Sequence, residues 1–66
     1  MAKFKKVKEA TAPFGNESIR TINVEQIVEI EDYSTQGNPH SRIKMSNGES
    51  FDVNKISDEL VDYLNS

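Results

Sequence analysis

The stretch from His40 to Val53 constrains the fold of this chain more tightly than any other. Ile43 and Met45 alternate with Arg42 and Lys44, Ser46-Asn47-Gly48 intervenes, and Phe51 and Val53 then alternate with Ser50 and Asp52. Alternation with a period of two marks a strand buried on one face, and an Asn-Gly pair between two such runs marks a hairpin. Two loop lengths compete. A two-residue Asn47-Gly48 loop sets Met45 opposite Ser50 and Lys44 opposite Phe51, which mixes the faces. A three-residue loop, Ser46 to Gly48, sets Met45 opposite Glu49 and Ile43 opposite Phe51, and gathers Ile43, Met45, Phe51 and Val53 on one surface. Parity therefore selects the three-residue loop, a type I turn with a G1 bulge. Gly48 then takes a positive φ, a conformation that a Cβ disfavours.

Four further elements follow from similar signals. Lys3 to Ala10 is a weak first strand carrying Phe4 and Val7 among charges, and Thr11 to Glu17 is a loop broken by Pro13 and Gly15. Ser18 to Asn23 is a second strand with β-branched Ile19, Thr21 and Ile22. Asn23 to Gln26 interrupts as one turn, because an Asn side chain accepts from the backbone ahead of it, and Ile27 packs inward after it. Val28 to Tyr33 is a third strand, with Val28 and Ile30 on one face and Glu29, Glu31 and Tyr33 on the other. After a polar turn from Ser34 to Pro39, His40 to Met45 and Glu49 to Val53 form the hairpin. Ser57 to Leu64 is a helix, with Ser57 at the N-cap and Asp58 and Glu59 at the positive end of its dipole. Ile56 and Val61 are spaced as a hydrophobic staple. Ile56, Leu60 and Leu64 form an apolar stripe flanked by Val61 and Tyr63, and so short a helix needs docking to be stable. The expected fold is α+β: a curved antiparallel sheet of four or five strands, with a small barrel as one form of it, and one C-terminal helix. Residues 1–66 make a single domain.

Size bears on association. A chain of about 60 residues buries only about 60% of its unfolded surface, and domains this small usually lean on a disulfide, a metal or a partner subunit. The chain has no cysteine and one histidine, so a disulfide is excluded and so is a histidine-rich metal cage. With a hydrophobic content of 35%, self-association is the expected support, and no cofactor is expected. No apolar run of signal-peptide or membrane-spanning length occurs, so the expected location is the cytoplasm, away from membranes.

Charge is uneven. Lys3, Lys5, Lys6 and Lys8 crowd the start without an acid, whereas the rest of the chain holds all eleven acidic side chains and only four basic ones. An acidic body repels nucleic-acid phosphates, since binding them needs clustered cations. The basic run reads first as a strand whose lysines discourage edge-to-edge pairing. Its functional reading is a polyanion contact made by Lys3, Lys5, Lys6, Lys8 and Arg20. Lys5, Lys6, Arg20 and Arg42 would form one basic stripe if their strands paired.

No catalytic group emerges. His40 and Ser41 are adjacent, but neighbouring strand residues point to opposite faces, and no orienting carboxylate is evident from the sequence. Glu29, Glu31 and Asp32 lack the oxygen-rich loop that a calcium site requires and read as a solvated strand face. The interface candidates are aromatic: Phe4; Phe14, placed in a loop between Pro13 and Gly15; and Tyr33, on the charged side of its strand.

A family resemblance rests on spaced residues: Ile22-Asn23, Ile27, Ile30-Glu31, Ile43-x-Met45-x-Asn47-Gly48, Phe51-x-Val53, Ser57-x-Glu59-Leu60-Val61 and Leu64. This skeleton resembles that of the small FlbD-like (swarming-motility) flagellar proteins over about two thirds of the chain. The resemblance implies a compact β-sheet with a C-terminal helix, action through protein contacts, and no catalytic residues. It is compatible with a short accessory protein of bacterial or phage type. The expected function is a non-enzymatic, homo-oligomeric protein-interaction or regulatory module. The alternative is a nucleic-acid-associated regulator that uses the basic first strand.

Overall fold

The computed structural model describes residues 3–11 and 16–66. Its element order is β1 (Phe4–Thr11), β2 (Asn16–Asn23), a 3₁₀ turn (Val24–Gln26), β3 (Ile27–Asp32), β4 (Ser41–Met45), β5 (Ser50–Val53) and α1 (Ser57–Leu64). The five strands form one antiparallel sheet in the order β2-β1-β5-β4-β3.

The β4–β5 hairpin forms as parity requires. Ile43 faces Phe51, the Met45 N–H donates to the Glu49 carbonyl at 2.8 Å, and the Gly48 N–H donates to the Met45 carbonyl at 3.1 Å. Gly48 has φ +92°, and the Asn47 side chain accepts from the Glu49 N–H. Ile43, Phe51 and Val53 are buried, with Met45 packed against them. Val7 from β1, Ile22 from β2 and Leu60 and Leu64 from α1 complete the core, with Val24, Ile27 and Ile30 at its margin.

The sheet is open: β2 and β3 stand at opposite ends of the strand order and do not pair, so the barrel form is not adopted. Yet three residues of 3₁₀ turn join them. At about 2 Å of rise per residue such a link cannot cross five flat strands spaced about 4.8 Å apart, so the sheet must curl. Helix α1 lies on the concave face, and its Leu60 and Leu64 fill the space that closure would otherwise have to fill. The turn is held by Asn23, whose side chain accepts from the Glu25 N–H at 3.1 Å.

Three local expectations are corrected. First, β3 carries an irregularity between Ile27 and Glu29. The bulge turns Val28 out to 66% exposure, and Ile27 joins Ile30 against the core in its place. Second, Ser57 is not the N-cap of α1. Ile56 holds that position without a side-chain cap, and the Ser57 N–H donates across the fold to Asp32 Oδ2 at 3.0 Å. A charged acceptor delivered by the end of β3 serves the helix N-terminus in place of a local hydroxyl. Third, with Ile56 at the N-cap the pair Ile56 and Val61 no longer has the N′–N4 spacing of a staple, and both side chains are more than a third exposed.

Candidate interaction surface

Two faces of the sheet differ in kind. On the concave face Ser41 is fully buried opposite Val53, and its hydroxyl donates to the Lys55 carbonyl at 2.7 Å. His40 lies elsewhere: its Nε2 is 3.2 Å from Asp52 Oδ2. The carboxylate that the sequence did not reveal is thus supplied by β5, but Ser41 is not brought to His40.

The convex face of β3, β4 and β5 is an ion-pair ladder. Lys44 Nζ lies 3.2 Å from Glu29 Oε1 and 2.6 Å from Glu31 Oε1. Arg42 Nε donates to Asp52 Oδ1 at 2.8 Å. The Tyr33 hydroxyl donates to Glu31 Oε2 at 2.8 Å, and the Arg42 guanidinium lies over the Tyr33 ring. These contacts set the local acidities. Hydrogen bonds from Lys44 and then Tyr33 hold Glu31 below the usual carboxylate range, and Arg42 does the same to Asp52. Glu31 raises the Tyr33 phenol, Asp52 raises Arg42, and Glu31 with Glu29 raises Lys44. Asp32 lies well below its ordinary value because Ser34 and Ser57 both donate to it. Glu29 and Glu31 are therefore held by Lys44, while Asp32 caps the helix. Among the described residues no three His, Asp or Glu side chains group to hold a metal ion.

The β1–β2 hairpin is different. Its residues pair from Phe4 with Asn23 to Thr11 with Asn16. Strand alternation puts Phe4, Lys6, Lys8 and Ala10 on the convex face beside Glu17, Ile19, Thr21 and Asn23. Phe4 is 62% exposed there and Ile19 is 70% exposed. The five cations suggested for polyanion contact do not form one patch. Lys6 and Lys8 are convex, and Lys3 is exposed at the strand start. Lys5 is concave, with its ammonium over the Tyr63 ring and 3.0 Å from the Ser66 hydroxyl. Arg20 is also concave: it lies over the Phe51 ring, 3.6 Å from Glu9 and 3.3 Å from Glu49. No stripe joins Lys6 to Arg42 either, since β5 separates their strands and Arg42 is paired with Asp52. Of the aromatic candidates, Phe4 is exposed, Tyr33 is about half exposed within the ladder, and Phe14 lies outside the described residues.

Strand order also relocates the exposed edges. β2 and β3 are the outer strands, while β1 is flanked on both sides only near Glu9, which pairs with Val53; beyond it the side of Lys5 to Lys8 away from β2 meets no described strand, so the lysine run does border an open stretch of edge. Backbone direction on β2 follows from two bonds. The Lys6 carbonyl accepts the Tyr63 hydroxyl on the side of β1 away from β2, whereas the Lys3 carbonyl accepts the Val24 N–H on the β2 side. Odd residues of β1 therefore turn their backbone toward β2, and so do their partners Ser18, Arg20 and Ile22. Glu17, Ile19 and Thr21 turn their N–H and C=O groups outward, and no other described strand meets them.

A cleft of about 280 Å³ opens beside β1 where β5 ends, with Lys6, Lys8 and Lys55 around Val7, Leu60 and Tyr63. Pockets that take small molecules usually start at about 300 Å³, so the cleft is at the lower margin. Among the described residues no helix is long and apolar enough to cross a membrane. Comparison with family models, curated proteins and solved structures found no match to this chain.

Proposed function

We propose that this chain is a non-enzymatic, cytoplasmic protein-interaction module that works by strand addition at β2. The observation that carries the reading is an unpaired edge of eight residues beside an exposed Phe4 and Ile19. Backbone groups of an unpaired edge template pairing with another chain, and exposed side chains at alternate positions add selectivity. The size argument points the same way, since a 66-residue chain without disulfides gains stability from association. The resemblance to the FlbD-like flagellar proteins likewise implies action through protein contacts.

The test uses two matched variants, one on each edge of the sheet. Ile19→Lys places a charge on β2, and Val28→Lys does so on β3. Chains carrying each change are used to recover bound proteins from the native host, and their solution masses are measured by light scattering. The expected result is that Ile19→Lys loses its associations, including any with its own kind, while Val28→Lys keeps them. If wild type, Ile19→Lys and Val28→Lys behave alike in both measurements, the edge of β2 is not the working surface.

A further inference from the structure

We infer that β2 takes a second copy of this chain, in one antiparallel register with Ile19 facing Ile19 across a twofold axis. The inference rests on the proposed reading of β2 as a pairing edge and supplies its partner and alignment.

Outward backbone groups at Glu17, Ile19 and Thr21 limit the registers, because a one-residue slip would oppose convex and concave side chains. The centres to weigh are Ser18, Ile19, Arg20 and Thr21. Centring on Ser18 sets each exposed Ile19 against a Glu17 carboxylate. Centring on Arg20 sets the two Arg20 side chains against each other in a close, non-hydrogen-bonded pair, where like charges are destabilising. Centring on Thr21 pairs only residues 19–23 before the second copy meets the Val24–Gln26 turn, which no longer runs as a strand. Centring on Ile19 pairs residues 16–22 and brings against itself the most exposed large apolar side chain among the described residues.

That alignment is also complementary in charge. Glu17 faces Thr21 of the second copy, and Arg20 faces Ser18, so no like charges are directly opposed. Lys6 pairs with Thr21 within its own chain, so Lys6 and Glu17 of the second copy share one row of the convex face. They lie two strands apart, about 10 Å between backbones, a distance that an extended lysine and glutamate span together. The symmetry makes this contact twice. Within its own chain Glu17 has an exposed contact with the Asn54 amide at 3.4 Å, which is easily exchanged. Arg20 stays within reach of its own Glu9 and Glu49 and directly opposes only Ser18 of the second copy.

The absence of native cysteine makes single-cysteine variants a clean test. Directly opposed strand residues have Cα atoms about 5.5 Å apart in hydrogen-bonded pairs, within disulfide range. Three variants are oxidised and resolved by mass: Ile19→Cys alone, Thr21→Cys alone, and Glu17→Cys mixed with Thr21→Cys. Ile19→Cys should give a covalent dimer, Thr21→Cys alone should stay monomeric, and the mixture should give the Glu17–Thr21 cross-linked heterodimer with Ile19 intact. Wild type should have a solution mass near twice the 7.5 kDa chain at high concentration. A dimer with efficient Thr21→Cys self-linking, or with no Ile19 and no mixed product, overturns the register but leaves the interaction reading standing. A wild-type chain that stays monomeric at about 0.5 mM, a concentration far above a micromolar Kd, overturns the second copy as partner. Retention of host proteins that Ile19→Lys abolishes would then keep the strand-addition reading.

Discussion

The two halves of the sheet solve the same surface problem in opposite ways. In the β3–β4–β5 half, Glu29, Glu31, Arg42, Lys44 and Asp52 are matched across neighbouring strands, and a bulge disrupts the outer strand at Val28. In the β1–β2 half the convex face shows Phe4 and Ile19 to solvent, and the outer strand runs eight residues without a bulge. Charges, bulges and short strands are the usual means of closing an edge against other chains. The β3 edge combines paired charges with a bulge, whereas β2 carries Glu17 and Arg20 on an eight-residue strand with no bulge, although both rest on one core. The difference teaches that exposed apolar surface is concentrated on the hairpin, the half proposed to meet a partner, while the charges of the other half are paired within the chain.

The largest test of this comparison asks whether the halves are one folding unit. Leu60 is almost wholly buried in the cluster that includes Val7 and Ile22 of the hairpin and Ile43, Phe51 and Val53 of the other half. Leu60→Ala should cost about 2–5 kcal/mol, a large share of the roughly 3–10 kcal/mol expected for a chain this size. Urea unfolding followed by circular dichroism, with amide exchange read residue by residue, should show both halves losing protection together. Protection retained in β1–β2 alone would mean that the hairpin is independently stable, and the shared-core premise would fail.

A smaller effect separates the halves by pH. Asp32, Glu31 and Asp52 are held below the ordinary carboxylate range, and all three belong to the β3–β5 half. A depressed carboxyl adds stability that is fully present above its unfolded value near pH 4 and is lost as pH falls through the folded value. The urea midpoint should therefore fall below about pH 4, with Asp32 at the start of α1 contributing to the slope. Asp32→Asn should flatten part of this slope while lowering the midpoint at neutral pH. An Asp32→Asn variant with an unaltered acid slope would remove Asp32 as a cause of the asymmetry.

What the sequence disclosed and what it withheld divide along a physical line. The β4–β5 hairpin was legible because its information is local: side-chain parity and the positive φ of Gly48 lie within a dozen residues. The turn at Asn23 and the burial of Leu60 and Leu64 were legible for the same reason. Strand order was not, because nothing in Lys3 to Lys8 says that β5 will lie beside β1. The lysines lie on a strand that β5 covers only near Glu9, and the edge proposed to work is that of β2. Asp32 as a helix cap was hidden likewise, since it acts on Ser57 far along the chain. Phe4, an expected contact residue, is exposed, yet Ile19 is the more exposed side chain and reads in the sequence only as a strand former. Its signal was the outward face of the run from Ser18 to Asn23, where Ile19 and Thr21 bring neither a charge nor a proline.

The smallest expected effect is also the most exacting for the comparison. Phe4 and Ile19 are exposed in the monomer, so removing their apolar surface should leave its stability within about 0.5 kcal/mol of wild type for Phe4→Ser and within about 1 kcal/mol for Ile19→Lys, whose new charge faces Lys8 across the hairpin. The measurement is a urea midpoint for Phe4→Ser and Ile19→Lys, taken at about 1 µM chain so that association contributes little. At about 0.5 mM the same experiment should separate them: the wild-type midpoint rises with concentration because pairing favours the folded form, and that of Ile19→Lys does not. A destabilisation above about 1 kcal/mol at the lower concentration would mean that these side chains are covered by their own chain. The hairpin would then be as finished a surface as the charged half, and the asymmetry from which its role is argued would be gone.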